Sequence, residues 1–157
     1  MKDRIFIIDG SSYLYRAYHA MPPLSTSSGQ PTGAVKGVTN MLMNLKKDSE
    51  GSSIIVVFDA KGKTFRSDIY SEYKANRPPM PDELRDQLVP VKSICRAIGF
   101  PLIEIEGVEA DDVIATIANM AKKENYKCVI SSLDKDLMQL VEDPNTTMMD
   151  TMKHKIF

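Results

Sequence analysis

The chain has 157 residues, the length of one compact domain that buries about 70% of its unfolded surface. Apolar residues make up 43% and charged residues 26% of the sequence, which is typical of a soluble globular protein and excludes an intrinsically disordered chain. The 20 basic and 21 acidic residues give a net charge of −1, which excludes a protein that holds nucleic acid by bulk positive charge.

The apolar stretches are too short to cross a bilayer or to form the apolar region of a secretory signal. The two cysteines and two histidines are too few for a zinc-type cluster. These features predict a reduced, soluble domain located in the cytoplasm, with no membrane partner.

The first half of the chain predicts two buried strands separated by two helices. Each strand is a short apolar run that stops at an aspartate. The predicted elements are a strand over 4–8 ending at Asp9-Gly10, a helix over 13–20 capped by Ser11 or Ser12, an amphipathic helix over 34–47, and a strand over 53–58 followed by Asp59.

The second half continues the alternation of strands and helices after a basic segment. The predicted elements are a short polar helix through Lys74, a proline-rich break over 77–81, a helix over 82–98 closed by Gly99, strands over 101–105 and 127–131, helices over 109–123 and 134–141, and a terminal hairpin or strand pair over 146–157. This alternation predicts an α/β fold with a mainly parallel central sheet flanked by helices on both faces.

Acidic residues follow every predicted strand, at the edge of a parallel sheet where ligands collect. They are Asp9, Asp59, Glu109, Asp111, Asp112, Asp134 and Asp136. Taken singly, each is typical of a turn or a helix cap. Together they would repel one another, since two like charges about 4 Å apart cost about 4 kcal/mol at an effective dielectric of 20. The joint pattern therefore predicts a site for Mg²⁺ or Mn²⁺, which prefer oxygen ligands.

A basic segment supplies the opposite charge. Residues 61–77 carry a net charge of +3, whereas residues 104–143 carry −6. Lys74 and Arg77 suit a phosphate, and Tyr73 offers a face for stacking an unpaired base. The alternative for this cluster is an exposed helix end with its charges in water. Arg16 is kept as a possible phosphate contact, while the tyrosines around it are interpreted as packing residues.

Four motifs carry a specific resemblance to a known family. They are residues 9–19 (DGSSYLYRAYH), 57–66 (VFDAKGKTFR), Tyr73-Lys74 with 77–81 (RPPMP), and 107–112 (GVEADD). On these motifs the chain resembles the 5′-nuclease domain of bacterial DNA polymerase I, a relative of the flap endonucleases. The resemblance runs from residue 5 to about residue 152. It implies a PIN-like (resolvase-like) fold and metal-dependent hydrolysis of DNA with 5′ ends or flaps.

The resemblance also implies roles for individual residues, with two Mg²⁺ or Mn²⁺ ions as cofactors. The implied ligands of the first ion are Asp9, Asp59, Glu109 and Asp111, with Asp112 beside them, and those shared toward the second ion are Asp134 and Asp136. Tyr73, Lys74 and Arg77 match the base of a helical arch, where Lys74 and Arg77 offset the charge of the scissile phosphate. Arg16 matches a phosphate-contacting position.

Two departures from the family pattern bear on activity. Leu133 stands where the family usually has glycine, and leucine would strain the loop if that position requires a positive φ. The helical subdomain that supplies two further aspartates and a clamp for duplex DNA is absent from the 157 residues. We therefore expect weakened catalysis, with the missing C-terminal region or a polymerase module as possible partners. The alternatives are a non-catalytic nucleic-acid-binding or regulatory remnant of the family, and a PIN-type ribonuclease.

Overall fold

The computed structural model describes residues 4–22, 24–49, 51–60, 80–142 and 145–149. In chain order the elements are β1 (Arg4–Asp9), α1 (Gly10–Ala20), α2 (Gly33–Asp48), β2 (Ser53–Val57), α3 (Asp82–Arg85), α4 (Leu88–Ile98), β3 (Leu102–Ile103), α5 (Ala110–Lys123), β4 (Lys127–Ser131), a 3₁₀ helix (Lys135–Leu140) and β5 (Thr146–Met149). Over the ranges just given, no helix combines the length and the apolar character needed to span a membrane.

The strands form one parallel sheet in the order β3-β2-β1-β4-β5. β1 lies at the centre, where Ile5 pairs with Ser53 of β2 on one side and with Cys128 of β4 on the other. Since the strands are parallel, their carboxyl ends meet along one edge, which is the usual ligand-binding edge of such sheets.

Apolar side chains cover both faces of this sheet. Phe6 and Ile8 of β1 pack into a buried cluster with residues of α1, α2 and α4, whereas Ile7 packs on the opposite face against α5, where Ile114 is fully buried. The alternation follows the two-residue period of a strand. Because both faces are covered, the strands appear in the sequence as continuous apolar runs. The predicted α/β fold, a parallel sheet between two helical layers, is confirmed.

Close packing between α1 and α2 depends on a glycine. A Cβ placed on Gly37 would lie 2.6 Å from the Ala17 Cβ and 2.9 Å from the Met21 Cγ, well inside van der Waals contact. The missing side chain therefore lets the two helices approach each other. α1 is thereby held with its first turn at the carboxyl edge of the sheet.

The helix predicted over 82–98 is interrupted, and this part of the prediction is wrong. α3 ends at Arg85 and α4 begins at Leu88. Pro90 explains the break, because its ring would clash with the carbonyl of residue 86 and it has no N–H to donate. The buried Gln87 side chain stabilises the junction by accepting a 3.0 Å hydrogen bond from the Val35 N–H and donating another to the Glu83 carbonyl. α4 ends at Gly99, as predicted, with a φ of 99°.

Other boundaries also differ from the prediction, and the helix predicted over 134–141 is a 3₁₀ helix over Lys135–Leu140. α1 begins at Gly10 and has Asp9 as its N-cap, so Ser11 and Ser12 lie inside the helix instead of capping it. β3 contains two residues only, and β5 joins the sheet as a parallel neighbour of β4. The predicted polar helix through Lys74 and the end of the predicted 146–157 element lie outside the described residues.

Candidate active site

Four acidic residues take their positions from the ends of secondary-structure elements. Asp9 is the last residue of β1, Asp59 follows β2 by two residues, and Glu109 and Asp134 are the N-caps of α5 and of the 3₁₀ helix. Acidic groups at a helix N-terminus are stabilised by the helix dipole. The local fold thus provides favourable places for carboxylates along the carboxyl edge of the sheet.

These carboxylates line one open cleft of about 390 Å³. Its lining residues are Asp9, Ser11, Ser12, Tyr15, Asp59, Glu109, Asp111, Leu133, Asp134 and Asp136. A second cavity of about 370 Å³ shares Glu109, Asp111 and Asp136 with the first and extends along α5. Six of the seven acids singled out in the sequence therefore face the same space.

Asp9 is buried and is held by two serine hydroxyls. Its Oδ2 accepts hydrogen bonds from Ser12 Oγ at 2.8 Å and from Ser132 Oγ at 2.7 Å. The Leu133 N–H donates to Ser12 Oγ at 3.1 Å, and the Asp134 N–H donates to Ser132 Oγ at 2.9 Å. The start of α1 is therefore tied to the loop that follows β4.

Asp59 and Glu109 meet at the N-terminus of α5. Asp59 Oδ1 accepts a 2.7 Å hydrogen bond from the Ala110 N–H, and Ser11 Oγ lies 3.5 Å from Asp59 Oδ2. Glu109 is buried and forms a capping box with Asp112, whose Oδ2 accepts from the Glu109 N–H at 3.1 Å. The helix end thus fixes Asp59 and Glu109 next to each other.

The concentration of acids changes the protonation of the cleft. Partial burial, together with the neighbouring Asp134 and the further charges of Asp9 and Glu109, raises the pKa of Asp111 to about 7. Burial also raises the pKa of Asp9, against the opposing effect of its hydrogen bonds from Ser132 and Ser12. Near neutral pH the acids of the cleft are therefore partly protonated, and a cation that neutralises their charge would displace the proton.

The donor set of the cleft fits a hard divalent cation, because every side-chain donor that lines it is oxygen. In the ranges described, however, no three Asp, Glu, His or Cys side chains form a ready ligand set for one ion. Several carboxylate oxygens are engaged by protein donors, such as Asp134 Oδ1, which accepts from the Asp136 N–H at 2.9 Å. A small cation that keeps several waters and reaches some carboxylates through them, as Mg²⁺ does, suits this arrangement.

Not all of the predicted site residues line the main cleft. Asp112 faces the adjoining cavity and serves the α5 cap. Arg16 lies on α1, one turn after Ser12, and is partly exposed. Tyr73, Lys74 and Arg77 lie outside the described residues, so their predicted roles stay predictions.

Sequence reasoning missed several residues of the cleft. Ser12 and Ser132 contact Asp9 directly, and Tyr15 lines the cleft although it was interpreted as a packing residue. The repeated serine pairs in residues 11–12 and 131–132, each next to a strand end, are the only sequence signal that could have drawn attention to the hydroxyls.

Leu133 does not strain the loop that it occupies. Asn125 is the sole non-glycine residue with a positive φ in the part of the chain that the structure describes, so the conditional expectation of strain at Leu133 is not met. The Leu133 side chain is exposed and lines the cleft, while its N–H bonds to Ser12.

Comparison with known proteins shows the family of the chain. The chain matches the family of the 5'-3' exonuclease, N-terminal resolvase-like domain over residues 4–157. It is 57% identical over 148 residues to DNA polymerase I of Pseudomonas aeruginosa, covering 94% of this chain and 16% of that protein. It is 45% identical over 153 residues to the 5'-3' exonuclease of Aquifex aeolicus, covering 98% of this chain and 53% of that protein.

The fold is similar to that of the bacteriophage T5 flap endonuclease in a complex with DNA and metal ions, with a TM-score of 0.72, 24% identity and coverage of 98% of this chain and 57% of that one. This likeness supports the PIN-like fold. The chain spans less than two thirds of the length of either curated relative above. The resemblance seen in the motifs is thus confirmed over nearly the whole sequence, and the chain belongs to the family of 5'-3' exonuclease N-terminal resolvase-like domains.

Proposed function

We propose that this chain is the catalytic part of a 5'-3' exonuclease or flap endonuclease that hydrolyses phosphodiesters in DNA with 5′ ends or flaps. One observation carries the proposal: six carboxylates from separate strand and helix ends line a single open cleft. The relatives named as DNA polymerase I and 5'-3' exonuclease support this class of reaction. The T5 flap endonuclease complex with DNA supports DNA as the substrate.

The proposed cofactor is Mg²⁺ or Mn²⁺, with two ions. Asp9, Asp59, Glu109 and Asp111 would hold the first ion with Asp112 beside them, and Asp134 and Asp136 would serve the second. When bound, the ions supply Lewis-acid stabilisation of the charge that develops on the phosphate and lower the pKa of the attacking water. The metal ions in the T5 complex support this assignment for the family fold.

The residues of the chain have two tasks in this proposal. The acids of the cleft repel a phosphate, so substrate binding requires that their charge be neutralised first. Asp111, whose pKa is raised to about 7, carries a proton until a cation replaces it. The basic residues Lys74 and Arg77 would then steer the phosphate and offset its charge, with Tyr73 stacking an unpaired base.

We further propose that the 157 residues alone cleave DNA weakly. The resemblance assigns two more metal-binding aspartates and the duplex clamp to a helical subdomain that these residues do not include. A C-terminal region or a polymerase module is the proposed partner that supplies them. The cytoplasmic location stays a prediction.

The proposal is tested by cleavage of a 5′-labelled flap in Mn²⁺, comparing the chain with an Asp59→Ala variant. Asp82→Asn is the matched control, because Asp82 is an exposed acid on α3 that does not line the cleft. We expect weak cleavage by the parent chain and the control, and none by Asp59→Ala. Equal activity in all three proteins, or full-strength activity of Asp59→Ala, would contradict the proposed site, and preference for a competing RNA substrate would favour a ribonuclease.

A further inference from the structure

Two serine hydroxyls lie between acids that belong to different parts of the chain. Ser12 is in the first turn of α1 and Ser132 directly follows β4, yet their Oγ atoms are 3.1 Å apart. Ser132 is buried, with 5% of its surface exposed. A polar group buried to this degree is normally retained because its hydrogen bonds are satisfied.

A count of protons assigns the direction of every bond in this cluster. Each hydroxyl has one proton to donate, and both serine protons go to Asp9 Oδ2. Each hydroxyl oxygen in turn accepts one amide proton, Ser12 from Leu133 and Ser132 from Asp134. The two oxygens are therefore neighbours at hydrogen-bond distance that share Asp9 Oδ2 as their acceptor. The proton of each hydroxyl and one of its two acceptor lone pairs are thus used.

This arrangement has a consequence for Asp9. Its Oδ2 receives two hydroxyl protons, which occupies both lone pairs of that oxygen. The Ser12 backbone N–H also donates to the Asp9 carboxylate, so three protein donors hold this group. The carboxylate is also prevented from rotating, because rotation would break two short hydrogen bonds at once.

The Ser132 hydroxyl also sets the position of Asp134 and Asp136. Ser132 joins Asp9 to the backbone of Asp134 through one oxygen atom. Asp134 then accepts from the Asp136 N–H and starts the 3₁₀ helix. A displacement of Ser132 would therefore move Asp9 and Asp134 relative to each other.

We propose that Ser132, assisted by Ser12, is a positioning residue that orients Asp9 and holds Asp134 at the separation that a divalent cation requires. The inference rests on the proposed function. Neither serine is a catalytic residue in this scheme, since each acts through a carboxylate. The neighbouring buried hydroxyl pair, Tyr13 OH and Ser131 Oγ at 2.8 Å, does not line the cleft and has no such role.

The test is Mn²⁺ binding to the full 157-residue chain, measured by calorimetry and by the electron paramagnetic resonance signal of the bound ion. Ser132→Ala removes the donor to Asp9 and the acceptor for the Asp134 N–H. Ser132→Thr keeps the hydroxyl, and Ser12→Ala removes only one of the two donors to Asp9. Thr39→Val is the control, because it deletes a 2.7 Å hydroxyl bond to the Val35 carbonyl on α2, away from the cleft.

We expect Ser132→Ala to weaken Mn²⁺ binding by about 10- to 100-fold, the usual effect of removing a residue that orients a metal ligand. Ser132→Thr should keep the affinity and the resonance signal of the parent, and so should Thr39→Val. The affinity of Ser12→Ala should lie between those of the parent and Ser132→Ala. Parent-like affinity in Ser132→Ala and Ser12→Ala would overturn the inference while leaving the proposed function intact. Absence of Mn²⁺ binding by the parent chain would overturn both. If Ser132→Ala fails to fold, the comparison of Ser12→Ala with the parent decides.

Discussion

Replacing Asp111 by asparagine should stabilise the folded protein at alkaline pH in the absence of divalent cations. The pKa of Asp111 is raised to about 7 by partial burial and by the neighbouring Asp134, above its ordinary value of 3.8. Below about pH 4 the Asp111 carboxyl is protonated in both the folded and the unfolded chain, so it does not lower the free energy of unfolding. As the pH rises toward 7, the unfolded chain loses this proton while the folded chain keeps it, so the free energy of unfolding falls.

The size of the effect follows from the same shift. A change of about 3 in pKa corresponds to about 4 kcal/mol of lost stability once the group is ionised in both states. Asp111 is partly exposed, and solvent screening reduces this figure to about 1–2 kcal/mol. Asp111→Asn removes the ionisable group, so at pH 8 the free energy of unfolding of the variant should exceed that of the parent by this amount. Near pH 4 the difference should vanish.

Urea unfolding of both proteins between pH 4 and pH 8, with a chelator present, measures this difference. Added Mg²⁺ should then raise the stability of the parent more than that of the variant, because a ligand that binds the folded state stabilises it by mass action. The reasoning is refuted if the stability difference is the same at every pH, or if the parent is the more stable protein at pH 8 without cations.

Three further changes test the packing around the cleft. Gly37→Ala should lower the free energy of unfolding by about 1–2 kcal/mol, since overpacking against Ala17 outweighs the better helix propensity of alanine. In thermal unfolding, the double variant with Ala17→Gly should recover most of this loss. Tyr13→Phe leaves Ser131 without its buried partner and should cost about 1 kcal/mol by urea titration; a neutral result would show that water replaces the phenol. Leu133→Gly should destabilise by about 0.5–1 kcal/mol and should not increase flap cleavage; a gain in cleavage would show that leucine impairs the site.

The sequence predicted β1, β2 and β4 well because their signal is local. β4 matches its predicted range of 127–131, and β1 extends the predicted strand only to Asp9, since each is an apolar run that ends at polar residues. The break between α3 and α4 was missed, although Pro90 carried the information, because the apolar spacing on either side suggested one continuous helix. Local sequence patterns thus located strands and helices, but they did not locate a break within a predicted helix.

The candidate site was predictable to the level of its acids. Acidic residues after strand ends are visible in a sequence, and a parallel sheet brings such ends together. Ser132, which holds Asp9, carried no comparable signal, because a serine at a strand end is ordinary and its bonding partner lies about 120 residues away. The capping box of Glu109 and Asp112 shows the same difficulty, since an acid that caps a helix and one that faces the cleft look alike in sequence.

The central position of β1 in the sheet affects when the cleft can form during synthesis of the chain. This strand precedes the other strands of the sheet in the chain, yet its pairing with β4 joins residues about 120 positions apart. Contacts of such long sequence separation slow folding, because the entropy of loop closure is lost before the contacts stabilise the chain. During synthesis on the ribosome, Asp9 therefore cannot be buried beside Ser132 until the β4 segment has emerged. A growing chain that ends before β4 lacks Ser132 and the acids that follow it, so its cleft is incomplete.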